Sequence, residues 1–167
     1  MACRSSSPVR FAAILAGLLL CGTVSAKDEI AVIVAKDAPA FQIDPSILRD
    51  IYLKKIFIDE HGQTFVPVNL PPQHPLRHAL TAIMFNKSMR QLQDYWNQRY
   101  FHGIAPPYVL RSQEAVVQFV AKTPGAIGYV APCHLDDRIR QVLAIPAPPA
   151  QREELEKLCP PAEGAAE

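Results

Sequence analysis

Between Gln73 and His78 the chain gathers an amide, two imidazoles and a guanidinium (Gln73, His74, Arg77 and His78) around a helix start marked by Pro75. The first turn of a helix carries N–H groups with no intrahelical partner and the positive end of the helix dipole. Side chains of these types could therefore add donors around a small anion. Gln73, His74 and Arg77 are the candidate ligand-binding residues on that reading. The competing reading is a solvated first turn with Arg77 and His78 facing water. His74 and His78 are four apart, which suits two metal ligands on one helical face, but His74 stands at or before the cap and no third ligand lies at a telling spacing. No metal or cofactor is expected.

Catalytic chemistry has little to work with. The chain has no nucleophile elbow, no glycine-rich phosphate loop and no Cys/His pair in a supporting context, so no enzyme is expected. Asp136-Asp137 is a carboxylate pair, yet adjacent residues point in different directions on either regular element, and a turn or solvated loop accounts for it. Of four cysteines, Cys3 and Cys21 fall in the N-terminal 26 residues, leaving Cys133 and Cys159 as an even pair.

Those first residues have the pattern of an export signal. Arg4 and Arg10 precede an apolar run from Phe11 to Val24, and Val24-Ser25-Ala26 offers a small-residue cleavage site. The run is shorter than the roughly 20 residues that span a bilayer, so no stable membrane anchor is expected after cleavage. Residues 1–26 are thus read as a signal peptide and the protein as periplasmic. In that oxidising compartment a Cys133–Cys159 disulfide is the leading reading, with two thiols as the alternative. The remaining 141 residues suffice for one domain with a real core. Their net charge of −1 provides no basic stripe, which argues against a nucleic-acid partner.

The elements that position these residues follow from periodicity. Asp28 to Ala35 is apolar on both faces and predicts a strand covered on both sides, central in its sheet. Asp44-Pro45 caps a helix carrying Ile47, Leu48, Ile51 and Tyr52, which ends near Lys54-Lys55. Thr64 to Leu70 alternates as a second strand, and Pro67 places it at an edge or a strand end. Leu76, Ala79, Leu80, Ile83 and Met84 define an amphipathic helix from Pro75. Ser88 and Gln91 form a capping box for the next helix, with Met89, Leu92, Trp96 and Tyr100 on one face. Ser112 caps a further helix with Val116, Phe119 and Val120 inward. Its end runs into Thr123-Pro124-Gly125-Ala126-Ile127-Gly128-Tyr129-Val130, where Pro124-Gly125 suits a type II turn and Gly128 permits a close approach within the strand. Ile139 to Ile145 is a last candidate strand. The domain is read as residues 27–145, followed by a Pro/Ala/Glu-rich tail over 146–167, of which Gln151 to Leu158 could form a short helix.

Strand, helix, strand, three helices and returning strands describe one α/β lobe with a mixed sheet and helices on both faces. The helix Ile47 to Lys55, Val66-Pro67-Val68, Tyr95-Trp96 and the run Thr123 to Val130 together resemble the phosphate-binding component of bacterial ABC transporters, within the type II periplasmic binding-protein superfamily. The resemblance covers roughly Ile30 to Val130 and implies a solute-binding protein with phosphate or another small anion as ligand and an ABC permease as partner. Members of that family have two lobes, whereas this chain has the size of one. The family holds its anion with an arginine followed by a Ser-Gly-Thr segment at a helix N-terminus. Here Leu70 takes the place of the arginine, and His74, Pro75 and Leu76 take the place of Ser-Gly-Thr. Proline has no N–H to donate and leucine has no hydroxyl, so the resemblance implies an altered anion site. The alternative function is a non-catalytic envelope interaction module that uses the lobe as a docking surface.

Overall fold

The computed structural model describes residues 29–85 and 87–159, so the expected signal peptide and the last eight residues lie outside it. Five strands form one mixed sheet: β1 (Glu29–Ala35), β2 (Val66–Asn69), β3 (Tyr108–Val109), β4 (Ala126–Val130) and β5 (Ile139–Pro146), in the order β3-β2-β4-β1-β5. β2 runs parallel to β3 and β4, while β1 runs antiparallel to β4 and β5. Five of the seven residues of β1 and all five of β4 are buried, as two interior strands covered on both faces must be.

The helices are α1 (Pro45–Tyr52), α2 (Pro75–Phe85), α3 (Met89–Tyr100), α4 (Gln113–Lys122) and α5 (Arg152–Glu156). Their starts follow the sequence signals. Asp44 Oδ1 accepts from the amides of Ser46 and Ile47, Ser88 and Gln91 close a reciprocal capping box, and Ser112 Oγ accepts from Ala115 N–H. Side chains alternate along a strand, so neighbouring residues of β4 meet different layers. Gly128 faces α4, where an added Cβ would lie 2.6 Å from Val116 Cγ1 and 3.1 Å from Val120 Cγ2. Tyr129 faces the other side, with its ring 6.1 Å from that of Tyr52 at the end of α1. Helices therefore cover both faces.

The Pro124-Gly125 segment forms the expected turn. Thr123 C=O accepts from Ala126 N–H at 3.0 Å, and Gly125 takes φ +74°, the left-handed value that the second central position of a type II turn requires. Tyr95 and Trp96 are structural. Tyr95 Oη donates to Leu53 C=O at 2.8 Å, closing the end of α1, and Trp96 packs with Leu53 and Leu92 in a small second core.

Some details of the sequence reading change. β2 is interior, so of the two places expected for Pro67 the strand end holds and the edge does not: Pro67 is the second residue of β2. Pro67 is tolerated because β3 pairs with β2 only at Val68 and Asn69, leaving Pro67 paired with β4 alone. β3 itself has two residues, too few for any periodicity to reveal. Tyr100 is 68% exposed, because α3 extends a turn beyond the Leu53–Leu92–Trp96 cluster. Beyond β5, Ala147, Leu155 and Cys159 join the main core, and Cys133 and Cys159 are disulfide-bonded with Cα atoms 5.6 Å apart.

Candidate functional site

The C-terminal ends of β2 and β4 lie side by side, and the chain leaves β2 through Leu70 to His74 into α2. Open α/β sheets characteristically bind ligands at such an edge. Four polar side chains converge here beneath α2. Tyr52 Oη donates to Val68 C=O at 2.9 Å, and Tyr129 Oη donates to Asn69 Oδ1 at 3.3 Å while accepting from Leu70 N–H at 3.2 Å. Arg77 is the fourth. It is only 9% exposed, and among the described residues its Nε and Nη1 have neither solvent nor a hydrogen-bond partner. Thr81 Oγ1, one turn further along α2, is sealed in the same way.

Burial pushes the Tyr52 phenol well above its ordinary pKa, with Tyr129 adding to the rise and the Arg77 guanidinium opposing it. Burial likewise pushes Tyr129 up to about 12, against the pull of Arg77 and of the hydrogen bond from Leu70. Both phenols stay neutral at any physiological pH. Among the described residues Arg77 forms no ion pair, and a buried ion left unpaired costs roughly several kcal/mol.

The helix start is closed from within. Pro75 has no N–H, Leu76 N–H donates to His74 Nδ1 at 3.2 Å, and the amides of Arg77 and His78 donate to His74 C=O at 2.9 and 3.1 Å. His74 thus caps α2 with both its ring and its carbonyl. The orphan donors expected at this turn have partners, which removes the backbone part of the anticipated anion cradle. As an acceptor Nδ1 carries no proton, so the neutral ring bears its proton on Nε2. Burial lowers the His74 pKa, and the neighbouring His134 lowers it further.

Gln73 and Arg77 do not meet in one cavity. Gln73 is exposed and lines a shallow groove with His78, Gln151 and Glu154, whose carboxylate repels an anion. Arg77 points into the protein, contrary to the solvated reading of that residue, while His78 is exposed as that reading expects. Asp136 is structural. It accepts from the backbone N–H and Nε of Arg138 at 2.9 Å each, and Arg138 in turn forks onto Glu114 at 2.9 and 3.1 Å. Sequence reasoning did not single out Tyr52, Asn69 or Tyr129 as a polar cluster. Their one visible signal was hydroxyl and amide groups on otherwise apolar segments.

The fold is one α/β lobe of a kind also found in solved phosphate-transport receptors. Solved structures make the likeness particular. The chain superposes on an ABC-type phosphate transport receptor from Vibrio cholerae with a TM-score of 0.56 at 16% identity, covering 69% of this chain and 45% of the receptor. It superposes on a phosphate-bound protein from Clostridium perfringens, assigned as a phosphate ABC transporter substrate-binding protein, with a TM-score of 0.57 at 15% identity, covering 79% of this chain and 63% of that one. The chain therefore spans about half to two thirds of the length of these proteins, and the likeness is one of fold. No protein-family model and no curated protein matches the chain.

Proposed function

We propose that this chain is an exported, non-catalytic solute-binding lobe for a small oxyanion, phosphate first among them, with Arg77 as the charged recognition group. The observation that carries the reading is the buried guanidinium whose Nε and Nη1 are unpaired among the described residues, beneath the helix that follows the C-terminal end of β2. A buried charge without a partner among the described residues is unfavourable, and an oxyanion fits the guanidinium fork once the side chain shifts to admit it, because Nε and Nη1 have no solvent contact and Arg77 lines neither the Gln73 groove nor the cavity beside Phe41 and Phe65. The fold shared with phosphate-transport receptors supports the same ligand class and, with it, an ABC permease as partner. The export pattern of residues 1–26 and the Cys133–Cys159 disulfide support a periplasmic location.

Binding through one arginine, with the first-turn amides engaged by His74, is weak. We expect a phosphate Kd on the order of 0.1 to 1 mM, which corresponds to only about −4 to −5.5 kcal/mol. Calorimetry with phosphate, sulfate and methylphosphonate, on the wild type and on Arg77→Ala, tests this. Loss of binding in Arg77→Ala is the expected result, and submicromolar phosphate affinity of the isolated chain would refute the weak, single-arginine site.

A second reading, an envelope docking module built on the same lobe, is favoured by the internally satisfied helix start. It takes precedence if no oxyanion binds at about 10 mM, a concentration that saturates any millimolar site.

A further inference from the structure

We propose a second ligand site at the opposite edge of the sheet, a cavity that takes a small organic cation: an ammonium group on an apolar or aromatic body. The cavity has a volume of about 240 Å³ and lies where β1 ends and β4 begins. β1 is antiparallel to β4, and β2 is parallel to it, so this edge is the one away from α2. None of Tyr52, Asn69, Arg77 or Tyr129 lines it.

Its floor suits a ring. Phe41 and Phe65 meet edge to face with centroids 5.7 Å apart, and Val34, Ala126 and Ile127 beside them are buried. An apolar cavity of about 150 Å³ accommodates benzene, so the larger space here admits a ring with a short chain.

Its polar groups suit a cation. Asp37 and Asp59 line the cavity, and neither forms an ion pair among the described residues. Asp59 Oδ1 is engaged by the amides of His61 and Gln63, at 2.9 and 2.7 Å, which fixes the carboxylate and leaves Oδ2 as acceptor. The last turn of α4 also reaches the lining at Ala121 and Lys122, and the carbonyl end of a helix carries partial negative charge. Two cations oppose these groups. Lys122 is exposed, and Arg140 is tied to the cavity wall through hydrogen bonds to the carbonyls of Ala38 and Pro39 at 3.0 and 3.3 Å. An ammonium group, with three donors, finds the carboxylates of Asp37 and the hydrogen-bonded Asp59 here, whereas a carboxylate meets the exposed Lys122 and an Arg140 already engaged by two backbone carbonyls.

A matched series tests the assignment: phenethylamine, 2-phenylethanol and phenylacetate, titrated into 15N-labelled protein and followed by backbone amide shifts. Phenethylamine is expected to bind and to shift Phe65 and Gly125. The alcohol should bind about tenfold more weakly or less, for want of the charge-assisted hydrogen bonds, and phenylacetate should bind least. Asp37→Asn weakens the amine, and Ala38→Leu, which fills the space, abolishes its binding while the spectrum remains that of a folded protein. Amine binding persists in Arg77→Ala, so this site and the oxyanion site stand or fall separately. Absence of amine binding at about 10 mM, equal or better binding of phenylacetate, or undiminished binding by folded Ala38→Leu would overturn the proposal.

Discussion

Arg77 and His74 are three residues apart, and the structure gives them opposite jobs. His74 closes the start of α2 and so withdraws its amides from any ligand, whereas Arg77 places a charge beneath the helix that no carboxylate among the described residues meets. Replacing Arg77 by methionine keeps the aliphatic bulk and removes two unpaired donors, each of which costs about 1 to 3 kcal/mol when buried. Arg77→Met is expected to raise Tm in anion-free buffer, and phosphate is expected to raise Tm of the wild type alone. Differential scanning fluorimetry reads both, and a methionine variant markedly less stable than the wild type would mean that Arg77 is held by structure and not for a ligand. His74 makes stability depend on pH. Its folded pKa is lowered, so the unfolded chain takes up the proton more readily and the contribution of the cap is complete above the ordinary histidine value of about 6.5. That contribution declines as pH falls through this value toward the lower folded one, because a protonated Nδ1 cannot accept from Leu76. Between pH 7.5 and 5.5 the wild type should lose more of its Tm than His74→Asn, which retains a capping oxygen that does not titrate; an N-cap is worth roughly 1 kcal/mol.

Among the elements, the α4–β4 connection is the most demanding. Gly125 combines φ +74° with a position where a Cβ would lie 2.0 Å from Thr64 C=O, and backbone cannot step aside as the tip of a side chain can. Gly62 also has positive φ, at +80°, but opens onto empty space. Gly125→Ala is therefore expected to destabilise by about 3 kcal/mol or more, adding steric overlap to left-handed strain, against about 1 kcal/mol for Gly62→Ala. Urea unfolding of the two variants gives the comparison directly, and equal losses would contradict the close approach. Gly128 is needed for a different reason. It lets Val116 and Val120 of α4 settle against the strand, so the glycine sets the distance between helix and sheet.

At the scale of the whole molecule, the Cys133–Cys159 disulfide joins the segment after β4 to the end of α5, whose Leu155 is buried in the main core. The bridge spans 26 positions in sequence, and the chain-entropy argument gives it about 3 kcal/mol. The double variant Cys133→Ser, Cys159→Ser should lose that amount in urea unfolding. Its amide exchange should accelerate first from Arg152 to Glu156, because α5 is short and depends on the bridge to stay against α2. Uniform exchange across the lobe would show instead that the tail and the sheet unfold as one unit.

The amino-acid sequence alone determined most elements of this lobe, because their signals are local. The Asp44-Pro45 cap, the Ser88–Gln91 box, the apolar stripes of α2 and α4 and the Pro124-Gly125 turn each follow from a few neighbouring residues. The direction and order of the strands came from packing between distant segments, which is why Pro67 proved compatible with an interior strand and β3 went unseen. The candidate site divides in the same way. Residue types marked Gln73, His74 and Arg77 as possible donors, but tertiary structure left Gln73 on an exposed groove it shares with Glu154, used His74 as a cap and buried Arg77 near Tyr52 and Tyr129. The direction a side chain takes from a helix start depends on what lies beneath it, and here that was the face of β4 carrying Tyr129, more than fifty residues away in sequence.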